Sequence, residues 1–357
     1  MAQKIIIVGA GIIGATLAFQ LARQGAEVTV FESAQPAHAA SGRSFGWINA
    51  SFYANPAHHR LRVAGIAAHH RLAALLPDAA PNWQGTLWFE AQGDGLARMQ
   101  ADLTALGYPV TPIAAAALAA LEPRLARPPA QALQFPSEGA TDLAALTRAA
   151  LAASGAKLLA GLTVKSLIQT SGQVTGVRTA IGPFAADQVI LATGTATPDL
   201  LAPLGLHLPM LTRPGLMLYT RPVDWRLNHI LVTPEQEIRQ DATGRLMAPA
   251  SASHQSDNAE TVPDPDGALA ATLDRLRGLF DDPAIALDRS TIGYRPVPGD
   301  GLPVIGSALP GLRLAVMHSG ATLAAIVAEA LAGEILGQPD NPLLADFRPS
   351  RLLRARP

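Results

Sequence analysis

Lys4-Ile5-Ile6-Ile7-Val8-Gly9-Ala10-Gly11-Ile12-Ile13-Gly14 is the stretch whose reading decides the fold. The isoleucine-rich run before Gly9 reads as a buried strand. After the three glycines, Ala15, Leu17, Ala18, Leu21 and Ala22 recur at helical spacing until Gln24-Gly25. A second strand, Glu27-Val28-Thr29-Val30-Phe31-Glu32, ends on an acid. A lone glycine triplet would be a weak signal. Strand, glycine turn, helix, strand and terminal carboxylate together make a βαβ dinucleotide-binding unit.

Each glycine has a physical reason. Gly9 turns the chain off the strand, Gly11 omits a side chain where a pyrophosphate meets backbone, and Gly14 lets the helix pack on the strand. The helix N-terminus offers unpaired N–H groups and the positive end of its dipole to phosphate. Glu32 lies 18 residues past Gly14, where a carboxylate accepts both hydroxyls of an adenosine ribose and repels a 2′-phosphate. The nucleotide is therefore expected to be of the NAD or FAD type rather than NADP. The apolar run from Lys4 to Phe19 also has the outline of a secretory signal peptide, but its glycines and the strand ending on Glu32 argue against that.

With 357 residues, the chain has length for two domains sharing a large core. Hydrophobic residues make up 49% and charged ones 15%, and the net charge of -1 gives no reason to expect nucleic acid or an anionic membrane as partner. The absence of cysteine excludes disulfides, thiolate metal sites, cysteine nucleophiles and a cofactor tethered through sulfur. Residues 113–121, the longest apolar stretch, are too few to span a bilayer. His58-His59 and His69-His70 fall eleven apart on one expected helix without HxxxH or HExxH spacing, and read as a solvated face rather than a metal site. The balance points to a cytoplasmic enzyme without a metal.

Further along, Asn55-Pro56 opens a helix to residue 76 that Pro77 ends. Residues 85–90 read as a strand, 96–107 as an amphipathic helix closed by Gly107, and 113–121 as a short helix. The stretch 123–136 has four prolines and no period, and reads as a connector. Asp142 caps a helix that Gly155 stops. Strands are expected over 157–159, 163–168, 174–179 and 187–191, with turns at Ser171-Gly172 and Ile181-Gly182-Pro183. The last of them runs into Thr193-Gly194, a second strand end suited to a nucleotide. Residues 212–222 and 230–247 read as strands with a hairpin turn at Ala242-Thr243-Gly244, 257–267 as a polar loop and 268–280 as a helix.

A third glycine-rich block spans residues 293–306, from Gly293-Tyr294-Arg295-Pro296 to Gly306. After a strand over 312–316 comes His318-Ser319-Gly320-Ala321-Thr322-Leu323, where a helix to 336 opens and offers a second anion site. The tail beyond Gln338 is expected to wind over the surface.

With these blocks in this order, the chain resembles the D-amino-acid oxidase superfamily, the group of glycine oxidase, sarcosine oxidase and bacterial D-amino-acid dehydrogenases. The likeness rests on residues 9–32, Ala40-Ser41-Gly42-Arg43-Ser44, residues 189–194, and 293–306 with its His318-Ser319-Gly320 helix start. The middle segments match less distinctively. The resemblance implies an α/β fold, with a Rossmann-like FAD-binding domain of glutathione-reductase type formed by 1–76, 140–200 and 290–357. An interleaved α+β substrate domain, on a mixed and mainly antiparallel sheet, would take 77–139 and 201–289.

It also implies noncovalent FAD. Glu32 with Ser33 would hold the adenosine ribose, Gly11 and Ile12 the pyrophosphate, and Gly9 and Gly14 would shape the turn. Ser41, Gly42, Arg43 and Ser44 would border the pyrophosphate and flavin, with the Arg43 fork suited to phosphate charge. Val164 would touch the adenine through its backbone, and Thr193 and Gly194 would close over the nucleotide. Gly320, Ala321, Thr322 and Leu323 would aim N–H groups at the flavin's pyrimidine edge, where a helix N-terminus stabilises negative charge.

In this family an arginine in the Gly-x-Arg-Pro setting pairs with a substrate carboxylate, which makes Arg295 the expected catalytic and substrate-binding residue. The competing reading is a structural arginine satisfying turn carbonyls beside Pro296. His318 contacts the flavin or the acceptor, or is simply packed. Tyr219 and Tyr294 belong either to the pocket or to the core, and Trp47 and Asn49 are candidates to face substrate.

Two departures from the family matter. Sarcosine oxidases attach FAD through a cysteine, and none exists here. They also activate oxygen with a lysine, whereas lysines occur here only at 4, 157 and 165. That favours a dehydrogenase over an oxidase. The expected activity is FAD-dependent oxidation of the C–N bond of an amino acid or N-substituted amino acid by hydride transfer to flavin N5, the imine then hydrolysing. The alternatives are an FAD oxidoreductase of a non-amino-acid substrate, or a flavin-binding subunit of a larger dehydrogenase. Partners would be a small-molecule substrate and an electron acceptor (quinone, carrier protein or O2), with peripheral membrane association and oligomeric state left open.

Overall fold

The computed structural model describes residues 2–250 and 260–355. Lys4–Val8 lies inside a six-stranded sheet and pairs in parallel with Glu27–Glu32 on one side and Gln188–Leu191 on the other. The full order is Val304–Leu309, Leu312–Val316, Gln188–Leu191, Lys4–Val8, Glu27–Glu32, Lys157–Ala160. Every pairing is parallel except the hairpin between the first two. Ile5 and Ile7 are buried on one face and Ile6 and Val8 on the other, as a sheet covered on both sides requires.

The helices are α1 (Ile12–Arg23), α2 (Pro56–Leu75), α3 (Asp94–Ala105), α4 (Ala115–Leu121), α5 (Leu143–Ser154), α6 (Thr197–Leu201), α7 (Pro265–Phe280) and α8 (Gly320–Ile335). Leu17 of α1, Leu61 of α2, Leu146 of α5 and Leu331 of α8 share the core on one side of the parallel sheet. The opposite face packs on an antiparallel meander of Val164–Thr170, Gln173–Thr179 and Gly182–Ala185. Local chemistry sets the helix ends. The Asn55 side chain accepts from His58 N, with Pro56 at the first helical position of α2. Asp142 accepts from Ala144 N and Ala145 N at the start of α5, and Gly155 ends it in the left-handed conformation.

The second sheet has eight strands: Leu287–Pro298, Met210–Pro222, Arg245–Pro249, Glu237–Gln240, Ile230–Val232, Thr86–Trp88, Gln131–Phe135 and Thr111–Ala114. Only the pairing of Ile230–Val232 with Thr86–Trp88 is parallel. Helix α7 covers one face through Leu269, Leu276 and Phe280. The architecture is thus the expected one: α/β, with a mostly parallel Rossmann-like sheet beside a mixed, mainly antiparallel one.

Several local expectations change. Residues 111–114 form an edge strand before α4, not the start of a helix; Pro112 has no N–H to donate and an edge tolerates it. The expected connector contains the strand Gln131–Phe135, whose Ala132, Leu133 and Phe135 are buried. It shows no alternation to read because apolar contacts occupy both its faces. The turn at Ile181-Gly182-Pro183 leads into a third meander strand. The block 293–306 divides between the end of a long strand and the start of Val304–Leu309. His58, His59 and His69 are buried rather than solvated: His58 packs on Phe347, His59 meets Tyr53 and Tyr108, His69 meets the first turn of α8, and His70 stacks on Trp83 at 3.9 Å. The tail docks: Leu344 and Phe347 are fully buried and Arg348 pairs with Glu334 at 2.7 Å. Part of the expected 257–267 loop lies outside the described residues, and α7 begins earlier than expected, at Pro265 under an Asp264 cap. Among the described residues, no helix is long and apolar enough to cross a membrane.

Candidate active site

The glycine turn is fixed by contact as well as by conformation. Gly9 has φ 103°, and a Cβ there would sit 2.5 Å from the Ala192 carbonyl oxygen. A Cβ on Gly14 would collide with the carbonyl oxygen of Gly9. Glu32 braces the turn: Oε2 accepts from Ala10 N at 2.9 Å, and Oε1 from Ala34 N at 2.9 Å and Ser33 Oγ at 3.1 Å. No side chain caps α1 in the usual way, and the N–H of Ile12 donates to Ser41 Oγ at 3.0 Å.

A cleft of about 820 Å³ runs from this turn along the ends of the parallel strands to one face of the second sheet. Gly9, Gly11, Ile12, Glu32 and Ser33 line one part of it, with Val164, Thr193 and Gly194. Ser41, Arg43 and Ser44 line it too, as do Gly320, Ala321 and Thr322 at the start of α8. Trp47, Asn49, Tyr294, Arg295 and His318 complete the expected set. Four expected residues do not reach the cleft. Gly14 and Gly42 are needed for close backbone approach, to Gly9 and Ala37 respectively. Leu323 is fully buried in the helical core. Tyr219 lies with Met217 and Met247, its ring covered by the Arg289 guanidinium at 3.7 Å.

At the second sheet, Arg295 pairs in register with Arg213, and Gly293 with Gly215. The Arg295 guanidinium donates to the Pro214 carbonyl at 3.1 Å, and Arg43 donates to the Ile292 carbonyl at 3.0 Å. Gly215 contributes no side chain to the sheet surface here, and the Arg295 side chain lies beside it, its Nε 3.7 Å and Cδ 3.9 Å from the place of a Cβ. Burial lowers the His318 pKa to about 3, and the charges of Arg295, Arg62 and Arg213 add to it. The imidazole is neutral at physiological pH. Tyr294 is 48% exposed.

Trp47 is committed within the protein. Its indole N–H donates to Glu138, and its ring meets Phe45 and Phe52 edge-on. Burial raises the pKa of Glu138, which also accepts from Tyr108 Oη and Ser51 N.

Sequence reasoning missed Arg62, Phe45, Gly215, Met217 and Glu237, all of which line the cleft. Arg62 stands in helical register with the buried Leu61, Gly65, His69 and Leu72 of α2, and a basic residue on such a stripe was a usable signal. Gly215 and Met217 alternate along one strand, but which face looks into a cleft depends on distant chain.

The residues fit FAD. Two helix N-termini whose own N-cap residues make no cap bond, at α1 and α8, open into one cleft with a carboxylate at the end of the second strand. Its volume is near the top of the roughly 300–1,000 Å³ of cofactor and ligand sites. Among the described residues, no group of His, Cys, Asp and Glu side chains is placed to hold a metal ion.

Known proteins resemble the chain along most of its length. The bifunctional protein ThiO/ThiG of Nostoc sp. is 28% identical over 98% of this chain, and the chain spans only 55% of that relative's length. The D-amino acid dehydrogenase of Cereibacter sphaeroides is 30% identical, with 99% of this chain and 98% of the relative covered. The crystal structure of glycine oxidase from Geobacillus kaustophilus superposes with a TM-score of 0.84 at 24% identity, covering 97% of this chain and 98% of that one, a likeness of fold. The family model of the FAD dependent oxidoreductases (DAO) matches residues 4–334, and the chain belongs to that family.

Proposed function

We propose that this FAD-dependent oxidoreductase oxidises the C–N bond of an amino acid or N-substituted amino acid whose carboxylate is held by Arg295. The carrying observation is the Arg295 guanidinium in the cleft wall, anchored to the Pro214 carbonyl beside Gly215 and Gly293. A fixed guanidinium fork matches a carboxylate bidentately. Gly215 next to it carries no side chain, which leaves the cleft open to the α carbon and its substituents. The name of the related D-amino acid dehydrogenase supports the same substrate class.

Bound FAD supplies the two-electron acceptor for the hydrogen leaving the α carbon. Glu32, Ser33 and Val164 would hold its adenosine end, and Gly9, Gly11, Ile12 and Ser41 its pyrophosphate. Arg43, Ser44, Thr193 and Gly194 would enclose it, while the amino end of α8, Gly320 and Ala321, would meet the pyrimidine edge. The cations that reinforce burial in keeping His318 neutral act on the substrate as well. Arg295, Arg213 and Arg62 disfavour an ammonium and favour the free amine, so no side-chain base is required. The imine product then hydrolyses in water. Of the lysines, at 4, 157 and 165, only Lys165 lines the cleft, next to Val164 at the proposed adenine contact. This favours electron transfer to a quinone or carrier protein over fast reaction with O2.

The test is anaerobic titration of the yellow holoprotein with D-, L- and N-methyl amino acids while flavin absorbance is followed. Bleaching by one group, lost in Arg295→Ala through substrate binding weakened by roughly a hundredfold or more, is the expected result. Slow return of colour in air marks a dehydrogenase. No bleaching by any amino acid, or bleaching that Arg295→Ala leaves intact, would sink the proposal.

A further inference from the structure

Helix α2 meets the first turn of α8 through Arg62, Gly65 and His69, which share one helical face. Arg62 donates to Ser319 Oγ at 2.7 Å. Gly65 lets the backbones close up, since a Cβ there would lie 2.5 Å from the Thr322 carbonyl oxygen. His69 Nε2 stands 2.8 Å from the Ala321 carbonyl, to which it donates. The other arms of Arg62 are committed to Asn49, Nε to the carbonyl at 3.0 Å and the second terminal nitrogen to Oδ1 at 2.5 Å. The guanidinium is therefore fixed, and its side chain also lines the cleft.

Ser319 occupies the N-cap position of α8. A serine there ordinarily takes an extended backbone and accepts from its own helix. Here φ is -84° and ψ 37°, and the hydroxyl makes no cap bond. The Ser319 carbonyl accepts from Thr322 N at 3.1 Å and Leu323 N at 3.0 Å, so Gly320 and Ala321 keep N–H groups with no intrahelical acceptor, at the cleft wall.

We infer that Arg62 is a positioning residue that holds Ser319 out of its capping conformation, and so keeps the amino end of α8 open to the flavin. This rests on the FAD placement proposed above. Without Arg62, the serine relaxes into an ordinary cap, and its oxygen lone pairs stand where N–H donors should face the ligand.

The experiment titrates apoprotein with FAD, read by flavin fluorescence, for the native chain, Arg62→Met, Ser319→Ala and the double variant. Thermal unfolding of each apoprotein serves as the folding control. Arg62→Met is expected to weaken FAD binding tenfold or more, and Ser319→Ala in that background to recover most of the loss, because alanine has no hydroxyl to close the helix end. The loss should be about tenfold greater for reduced than for oxidised flavin, a fall of about 30 mV in the two-electron midpoint potential. Unchanged affinity in Arg62→Met, or no recovery in the double variant, overturns the inference. Should Arg62→Met fail to fold, Arg62→Lys keeps the charge but cannot span Asn49 and Ser319. It should show the same loss and the same recovery, and native affinity there overturns the inference equally. A native chain that takes up no FAD overturns the FAD placement and this inference together.

Discussion

The indole N–H of Trp47 donates to Oε2 of Glu138 at 3.0 Å, joining residues 91 apart in sequence within the buried wall of the cleft. Tyr108 Oη at 3.0 Å and Ser51 N at 3.2 Å donate to the other oxygen. Glu138→Ala leaves those donors buried without an acceptor and should cost on the order of 3 kcal/mol in denaturant unfolding, with Glu138→Gln costing less. The pH sign follows from burial, which raises this carboxyl above its ordinary 4.5. The folded state holds the proton to higher pH than the unfolded chain does. That stability is complete below the unfolded value and lost as pH rises through the folded one. Glu138→Gln should flatten this dependence, and an unaltered pH profile would count against it.

The buried imidazoles act at the other end of the scale. Burial, aided by Arg62, lowers His58 to about 3; burial lowers His69 to about 4 against its bond to Ala321; and His318 lies at about 3. Unfolded histidine binds its proton near pH 6.5. Stability is therefore present above that value and lost as pH falls toward the folded values, by up to about 1.4 kcal/mol per pH unit for each group. Urea unfolding between pH 4.5 and 7.5 should show this slope, and His58→Phe should reduce it by one group's share. An equal slope in that variant would remove His58 from the account.

Gly215 has no positive φ, and its Cβ position is free of close contacts. Gly215→Ala should therefore fold and bind FAD, its one methyl group adding to the cleft wall beside Arg295 in ordinary contact with that side chain. Specificity constants for bulky amino acids should fall by tenfold or more, and for glycine much less. Equal losses for all substrates would mean that this surface does not face the substrate's side chain.

Tyr219 is 4% exposed beneath Arg289. Tyr219→Phe keeps the ring that packs against Met217 and Met247, so kcat/KM should stay within about twofold of the native value. A tenfold loss would place the phenol in the chemistry after all.

The first strand, its glycines, α1 and Glu32 were legible because every determinant is local: β-branched residues, glycines at contact points, a carboxylate at the end of the next strand. The caps at Asn55, Asp142 and Gly155 were legible for the same reason. The strand Gln131–Phe135 was not, since its neighbours Thr86–Trp88 and Thr111–Ala114 come from other parts of the chain and burial on both faces erases alternation. Arg62 was hidden among histidines that read as a solvated face. Its role depends on Asn49 and Ser319, the latter 257 residues away. Tyr219 was readable as aromatic and inward-facing, but not as lying behind the cleft wall.

The central place of Lys4–Val8 also has a consequence for biosynthesis. Lys4 N bonds to Asp187 Oδ2 across 183 residues, just before the strand that completes the flank of Lys4–Val8. At about 5–20 residues per second, the ribosome needs roughly 10–40 s to deliver that partner. Throughout that interval, an isoleucine-rich strand with one open edge is a template for pairing with other chains. Soluble yield should therefore rise with chaperone supply, since Lys4–Val8 is protected only after a partner far downstream has been made.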